Sequence, residues 1–178
     1  MIGLLRKRRS IRLFEDRPVD PEHRSVITEA ILRSPSSRGI DPWEFVVVDD
    51  RSILDQLSRA KMHGSTFLAG APLAIVVCAD TTKSDVWIED CSIASIIAQL
   101  TAQSLGLGSC WIQIRNRMHD RNTTSDAYVR SLLGIPDQVA VLSIIAIGHP
   151  AERRRGKSAR LLDRSKLRLN RYDAPFAP

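Results

Sequence analysis

Apolar residues fall into two rhythms along this chain, and the changes between them mark out its elements. Short, nearly continuous apolar runs occur at WEFVVVD (from Trp43), LAIVVCA (from Leu73), CWIQI (from Cys110) and VAVLSIIAIG (from Val139). Runs of that length, rich in β-branched residues and bounded by Gly or Pro, predict buried strands. Elsewhere the apolar positions recur at helical spacing. Val26, Ile27, Ala30 and Ile31 follow Asp20-Pro21, a capping acceptor ahead of a proline at the first helical position. SPSSRGIDP (34–42) ends that helix. Asp50 can cap a second helix with Ile53, Leu54, Leu57 and Ala60 on its apolar face. From Val86 to Leu105 the chain is apolar on most faces and carries the small residues Ser92, Ser95, Ala98 and Ala102. That predicts a long helix buried all round, with small residues that would let a second helix approach closely. A short helix around Asp126 to Leu133 stops at Gly134, with Pro136 beyond it. Helices and strands mix without strict βαβ alternation, which predicts an α+β or irregular α/β sandwich.

Composition narrows this reading little; the placement of charge narrows it more. At 178 residues, 43% hydrophobic and 26% charged, the sequence is that of an ordinary globular chain. No Gly/Ser or Pro-rich linker divides it, so residues 1–178 are read as one domain. The net charge is +6, and the surplus sits at the ends. Residues 1–12 hold five cations and no acid, residues 149–178 nine cations against three acids, and the stretch between twelve against seventeen. Two basic ends that met in space would make a basic pocket on a slightly acidic body. The apolar stretch Ile88–Leu107 is interrupted by Glu89, Asp90, Gln99 and Gln103, which makes a poor membrane span. The start, with its cations after a very short apolar patch, is the reverse of a signal peptide, and a cytoplasmic protein is expected. Cys78, Cys91 and Cys110 lie far apart in apolar segments and read as buried reduced thiols. The four histidines show no metal-ligand spacing, so no metal is expected.

The candidate chemistry is sparse. GLGSCW lacks the third glycine of a dinucleotide fingerprint and runs from helix to strand, the wrong order for that motif; it reads as a helix stop and a turn. No P-loop, nucleophile elbow or paired-carboxylate motif is present, so if the chain is an enzyme, a cofactor carries the chemistry. RKRRSIRLFEDRPV (6–19) is more informative. Arginine forks match phosphate, a serine hydroxyl adds a neutral donor, and residues two apart in an extended segment share a face. Arg8, Ser10 and Arg12 could therefore converge on one phosphate, or the run could be a solvated basic arm. SPSSRGIDPWEFVVV and HGSTFLAGAP each set polar residues before a buried strand, and each could also be a plain loop.

Taken in order, RRSIRLF, SPSSRGIDPWEFVVV, GAPLAIVVCAD, EDCSIASIIAQLTAQSLGLGSCWIQIRNR and LLGIPDQVAVLSIIAIGHPAE resemble the FMN-dependent nitroreductase family, its compact members above all. The resemblance implies an α+β sandwich with a central, mainly antiparallel sheet flanked by helices. It implies an intertwined homodimer with FMN at two interface sites. It also implies ping-pong chemistry, in which NAD(P)H gives hydride to flavin N5 and a small acceptor (nitroaromatic, quinone or enone) takes the electrons. Carried over, Arg8, Arg9, Ser10 and Arg12 hold the phosphate and ribityl chain. Pro35, Ser36, Ser37, Arg38 and Gly39 reach the flavin from the partner. His63, Gly64 and Ser65 meet its pyrimidine edge, and Trp111, Ile112 and Gln113 line it near N5. Lys157 and Arg160 match a late basic pair at the phosphate, and no side chain is implied as an obligatory acid or base.

The chain departs from the pattern where Gly39, Asp41, Ile96 and Ile97 replace polar residues common in the family, which bears on the acceptor. A specialised flavoenzyme of this fold, deiodinase-like or flavin-processing, is one alternative. A basic nucleic-acid-binding module is another, against which stands the lack of aromatic residues interleaved with the basic ones.

Overall fold

The computed structural model describes residues 1–176. In chain order the elements are α1 (Ile2–Lys7), α2 (Pro21–Leu32), β1 (Trp43–Val48), α3 (Arg51–Leu57), β2 (Leu73–Asp80), α4 (Trp87–Ser104), β3 (Gly108–Gln113), α5 (Ser125–Leu133) and β4 (Val139–Gly148). The four strands lie in the order β1-β2-β4-β3, and every pairing is antiparallel. Strand alternation sends Val76, Ile144 and Ile112 to one face, where α3 and α5 add Leu54, Leu57 and Val129. Ile75, Val77 and Ile145 point to the other face, where α2 and α4 add Ile27, Ile31, Ala94 and Ala98. The result is three layers, helix–sheet–helix, with β1 and β3 at the sheet edges.

Local signals explain the element ends. The Asp50 carboxylate accepts from the Ser52 and Ile53 amides at 2.8 and 3.0 Å, capping α3. Gly134 closes α5 in the left-handed region at φ 66°. Cys78, Cys91 and Cys110 are free and buried, and burial pushes the Cys78 thiol up to about 12.

Two features differ from the sequence reading. Three of the four small residues of α4 do not face outward: Ser95, Ala98 and Ala102 are fully buried and let the helix lie close on its own sheet, while Ser92 is half-buried. The outward face instead carries Ile93 and Ile96, 38% and 37% exposed. The second feature is α1, which the apolar pattern does not announce because six residues are too few to show a period or to stand alone. It is held by the chain's other end. A Cβ on Gly156 would lie 1.8 Å from the Arg6 carbonyl oxygen, so only glycine permits this approach.

Candidate active site

The site is built on the free edge of β3. The Ile11 amide donates to the Ser109 carbonyl at 3.0 Å, laying the Arg8–Arg12 segment parallel to the start of that strand. Gly108 allows the contact, since a Cβ there would lie 2.8 Å from the Ile11 Cβ. Antiparallel alternation then turns the amides of Trp111 and Gln113, like the Ser109 carbonyl, away from β4 toward the open edge.

Arg8, Ser10 and Arg12 all act on the Cys110 thiol. Burial pushes Cys110 up, while Arg12, the Ser10 hydroxyl and Arg8 pull it down in that order. Arg8 Nη1 lies 3.4 Å from Gln99 Oε1 of α4, and the Arg12 guanidinium sits 5.7 Å from the Phe67 ring centroid. No carboxylate pairs with either side chain among the described residues. Arg9 turns elsewhere, donating to the Arg155 carbonyl at 2.9 Å.

The two basic ends do meet. Glu15 donates to the His149 carbonyl and Ala151 to the Leu13 carbonyl, both at 2.9 Å. Glu152 Oε1 accepts from the Arg12 amide at 2.6 Å and the Leu13 amide at 3.3 Å, and its Oε2 accepts from Arg154 Nε at 2.7 Å. Beyond Gly156, Lys157 lines a groove with Ile2, Leu5 and Arg6, while Arg160 lies exposed in a short 3-10 turn. The Arg12 amide, and after it Arg154 and the Leu13 amide, hold the Glu152 carboxyl below its ordinary value of 4.5. A depressed carboxyl stabilises the fold above its unfolded value and ceases to do so as pH falls through the folded one. We therefore expect the Arg12 and Leu13 amides to lose hydrogen-exchange protection below pH 4.5. The Ile11 amide, bonded to Ser109, should keep its protection there. A Glu152→Gln variant should lack this pH step.

The other predicted residues divide. His63 and Gly64 are exposed in the loop that leads to Phe67. Ser65 is fully buried and donates to the Ser58 carbonyl at 2.7 Å, so the fold uses its side chain and leaves only main chain to the site. Ile112 is likewise in the core at 1% exposed. Trp111 Nε1 donates to Gln113 Oε1 at 3.0 Å, which fixes both side chains beside the edge.

Pro35–Gly39 is not brought to this cradle within one chain. Ser37 donates its amide to Asp90 Oδ1 at 2.8 Å, in the first turn of α4, whereas Arg8 reaches Gln99. Those anchors are nine positions apart on the helix, about 14 Å along the axis. Arg38 and Gly39 hold left-handed backbone at φ 55° and 63°, and Arg38 pairs with Asp85 at 3.0 Å.

Three residues escaped the sequence reading. Asp90, 3% exposed, anchors Ser37, and Gln99, 4% exposed, meets Arg8. Both read as interruptions of an apolar helix, and that interruption was the available signal. Lys61 lies with Nζ 3.9 Å from the position of a Cβ on Gly64. Burial and then Arg117 lower its pKa, with Cys110 acting the other way. Among the described residues, no group of three or more His, Cys, Asp or Glu could hold a metal ion, and no helix is long and apolar enough to cross a membrane.

Known proteins share this fold. The model of the Nitroreductase family matches residues 5–66 and 56–149. A solved FMN-dependent nitroreductase of Clostridium difficile R20291 superposes with a TM-score of 0.95 at 48% identity, covering 97% of this chain and all of that one (100%). An Archaeoglobus fulgidus protein with the provisional name NADH dehydrogenase/NAD(P)H nitroreductase is 37% identical over 155 residues, 85% of this chain and 86% of its own. The NADPH:FMN oxidoreductase of Vibrio harveyi, solved with NAD+, gives a TM-score of 0.80 at 28% identity, covering 96% and 77% of the two chains.

Proposed function

This chain belongs to the nitroreductase family, and from that premise we propose that it is an FMN-dependent NAD(P)H oxidoreductase working as one FMN-binding domain over residues 1–178. The observation that carries the reading is the Arg8–Arg12 segment lying along the start of β3, with Arg8 and Arg12 lacking carboxylate partners among the described residues, at the end of a sheet edge with free amides.

FMN fits these residues. Its phosphate needs several charge-assisted donors on one side, and neither arginine is already paired with a carboxylate among the described residues. The amides of Trp111 and Gln113 offer donors to the nitrogen- and oxygen-bearing side of the ring, at the height of the strand that the resemblance assigns to it. His63 and Gly64 stand in the exposed loop that leads to Phe67, over which Arg12 lies, and the resemblance assigns them to the pyrimidine edge of the ring. Bound FMN supplies the redox chemistry, accepting hydride from NAD(P)H and passing electrons to a small acceptor such as a nitroaromatic, quinone or enone. The protein's part is to bind, orient and shield, with no side chain required as acid or base. Lys157 and Arg160 add positive field to the phosphate end, since the tail that carries them is fastened to residues 6–13.

The partner subunit supplies the rest of the site. Pro35–Gly39 of one chain would complete the cradle of the other in a homodimer, because the two segments are anchored at different ends of α4.

The expected result is a yellow protein, or one that takes up FMN with quenching of flavin fluorescence. Anaerobic stopped-flow reduction with NADH and NADPH, followed by an acceptor panel, measures the two half-reactions. A colourless protein that does not quench FMN would remove this reading.

A further inference from the structure

A second group of cations stands at the other end of β3. The Ile114 and Arg115 amides both donate to the Leu142 carbonyl at 3.1 Å, which bends the chain off the strand. Asn116 follows at φ 58°, and the Arg117 amide returns to the Ile114 carbonyl at 3.1 Å. This turn is joined to the loop carrying Lys61, since the Met62 amide donates to the Met118 carbonyl at 3.1 Å. Arg115 and Arg117 line a cavity of 520 Å³ together with Trp87, Thr124 and Asp126.

Nothing in the described residues answers these charges. Neither Arg115, Arg117 nor Lys61 has a carboxylate partner there, and Arg117 Nη1 contacts only the neighbouring Asn116 carbonyl, at 2.9 Å. The one acid in the cavity wall, Asp126, is already engaged by Arg130 Nε at 3.0 Å and by the Val141 amide at 2.7 Å. Cations held together without an acid are relieved by an anionic ligand. Arg115 and Arg117 lie beyond Gln113, at the opposite end of β3 from the Arg8, Ser10 and Arg12 segment, so one FMN phosphate does not serve both.

We propose that Arg115 and Arg117 form a second phosphate site, which takes the nicotinamide dinucleotide and favours the form bearing a 2′-phosphate, its adenine against Trp87. The proposal rests on the NAD(P)H oxidoreductase reading above. Charge decides between the two coenzymes. The 2′-phosphate is a monoester, and such a group carries about −1.5 to −2 at pH 7. Two arginines with no competing acid suit the coenzyme that carries this extra charge, and the indole of Trp87 gives an adenine ring an apolar face.

The test uses the FMN-loaded protein and two probes that differ only in the 2′-phosphate, adenosine 2′,5′-bisphosphate and adenosine 5′-monophosphate, titrated by calorimetry. The bisphosphate should bind about tenfold tighter or more, as expected for one or more charge-assisted contacts. Arg117→Ala and Arg115→Ala should each bring the ratio toward one without changing FMN affinity, and Arg117→Lys should keep part of it. Equal binding of the two probes overturns the proposal. So does a loss of FMN affinity as large as the loss of bisphosphate affinity, which would give the cluster to the flavin. Anaerobic reduction separates the two layers of inference. If NADH and NADPH reduce the flavin with the same apparent Kd, this proposal fails and the oxidoreductase reading stands. If neither does while dithionite does, the NAD(P)H reading fails and this proposal falls with it.

Discussion

Replacing Arg8 and Arg12 together by alanine should weaken FMN by about a hundredfold or more while changing riboflavin only a few-fold. Riboflavin shares the ring and ribityl chain and lacks the phosphate, so it isolates the term that the arginines supply. A hydrogen bond to a charged group contributes about 1.5–3 kcal/mol. Each single variant should then lose about tenfold or more, and the pair about the product if the two contacts act independently. Both arginines also make contacts inside the protein, with Gln99 at 3.4 Å and over Phe67 at 5.7 Å. Losing those would disturb the site for either flavin equally, which is why the ratio is the quantity to measure. Raising the salt should shrink the wild-type ratio and leave that of the double variant flat, because both guanidinium groups are partly in solvent. Fluorescence quenching titrations with each flavin, beside a thermal melt of the apoprotein, decide the matter. Equal losses for the two flavins would assign these arginines to folding.

The layers of this fold were legible because each strand and long helix carries a strong local signal. Asp50 and Gly134 act as the caps that their positions predict, and the four apolar runs all pair into the sheet. What the sequence hid depends on contacts between distant residues. Nothing in residues 2–7 shows that Gly156 will hold them, and nothing in Gln99 shows that it will meet Arg8, 91 positions away. The outward face of α4 was misjudged for a related reason. Small residues permit close approach by any neighbour, and here the neighbour is the chain's own sheet. In the site, the R-S-x-R spacing points to an extended segment, and residues 8–12 do lie beside β3. Ser65 and Ile112 could not be sorted in the same way, since a residue quoted within a motif does not declare whether its side chain or its main chain faces the site.

Chains damaged in different halves of the site should repair each other when they are mixed. An Arg8→Ala/Arg12→Ala chain co-expressed with a Ser37→Trp/Gly39→Trp chain is expected to give mixed dimers holding about one FMN per dimer, while each parental homodimer holds almost none. The reasoning starts from surfaces that one chain leaves uncovered. Ile93 and Ile96 project from α4, and Ile2, Leu5, Leu161 and Leu162 are exposed on α1 and the tail. The tail from 153 onward lies almost wholly in solvent, and its nine cations have few acids nearby, whereas the middle of the chain carries more acids than bases. A second copy offers both the apolar cover and the opposite charge. The geometry of α4 adds the site. Ser37 is pinned to Asp90 at one end of this helix and Arg8 to Gln99 nine residues on, so a partner packed along α4 in the opposite direction would set its Pro35–Gly39 segment against the first chain's Arg8–Arg12. Tryptophan at Gly39 is disruptive on two counts, bulk and a backbone φ of 63° that a side chain disfavours. In a mixed dimer one site inherits both lesions and the other neither, which gives half occupancy. Isolated mixed dimers as free of flavin as the parents would show that the site is not shared in this way, and a monomer that carries FMN through a sizing column would show it more directly.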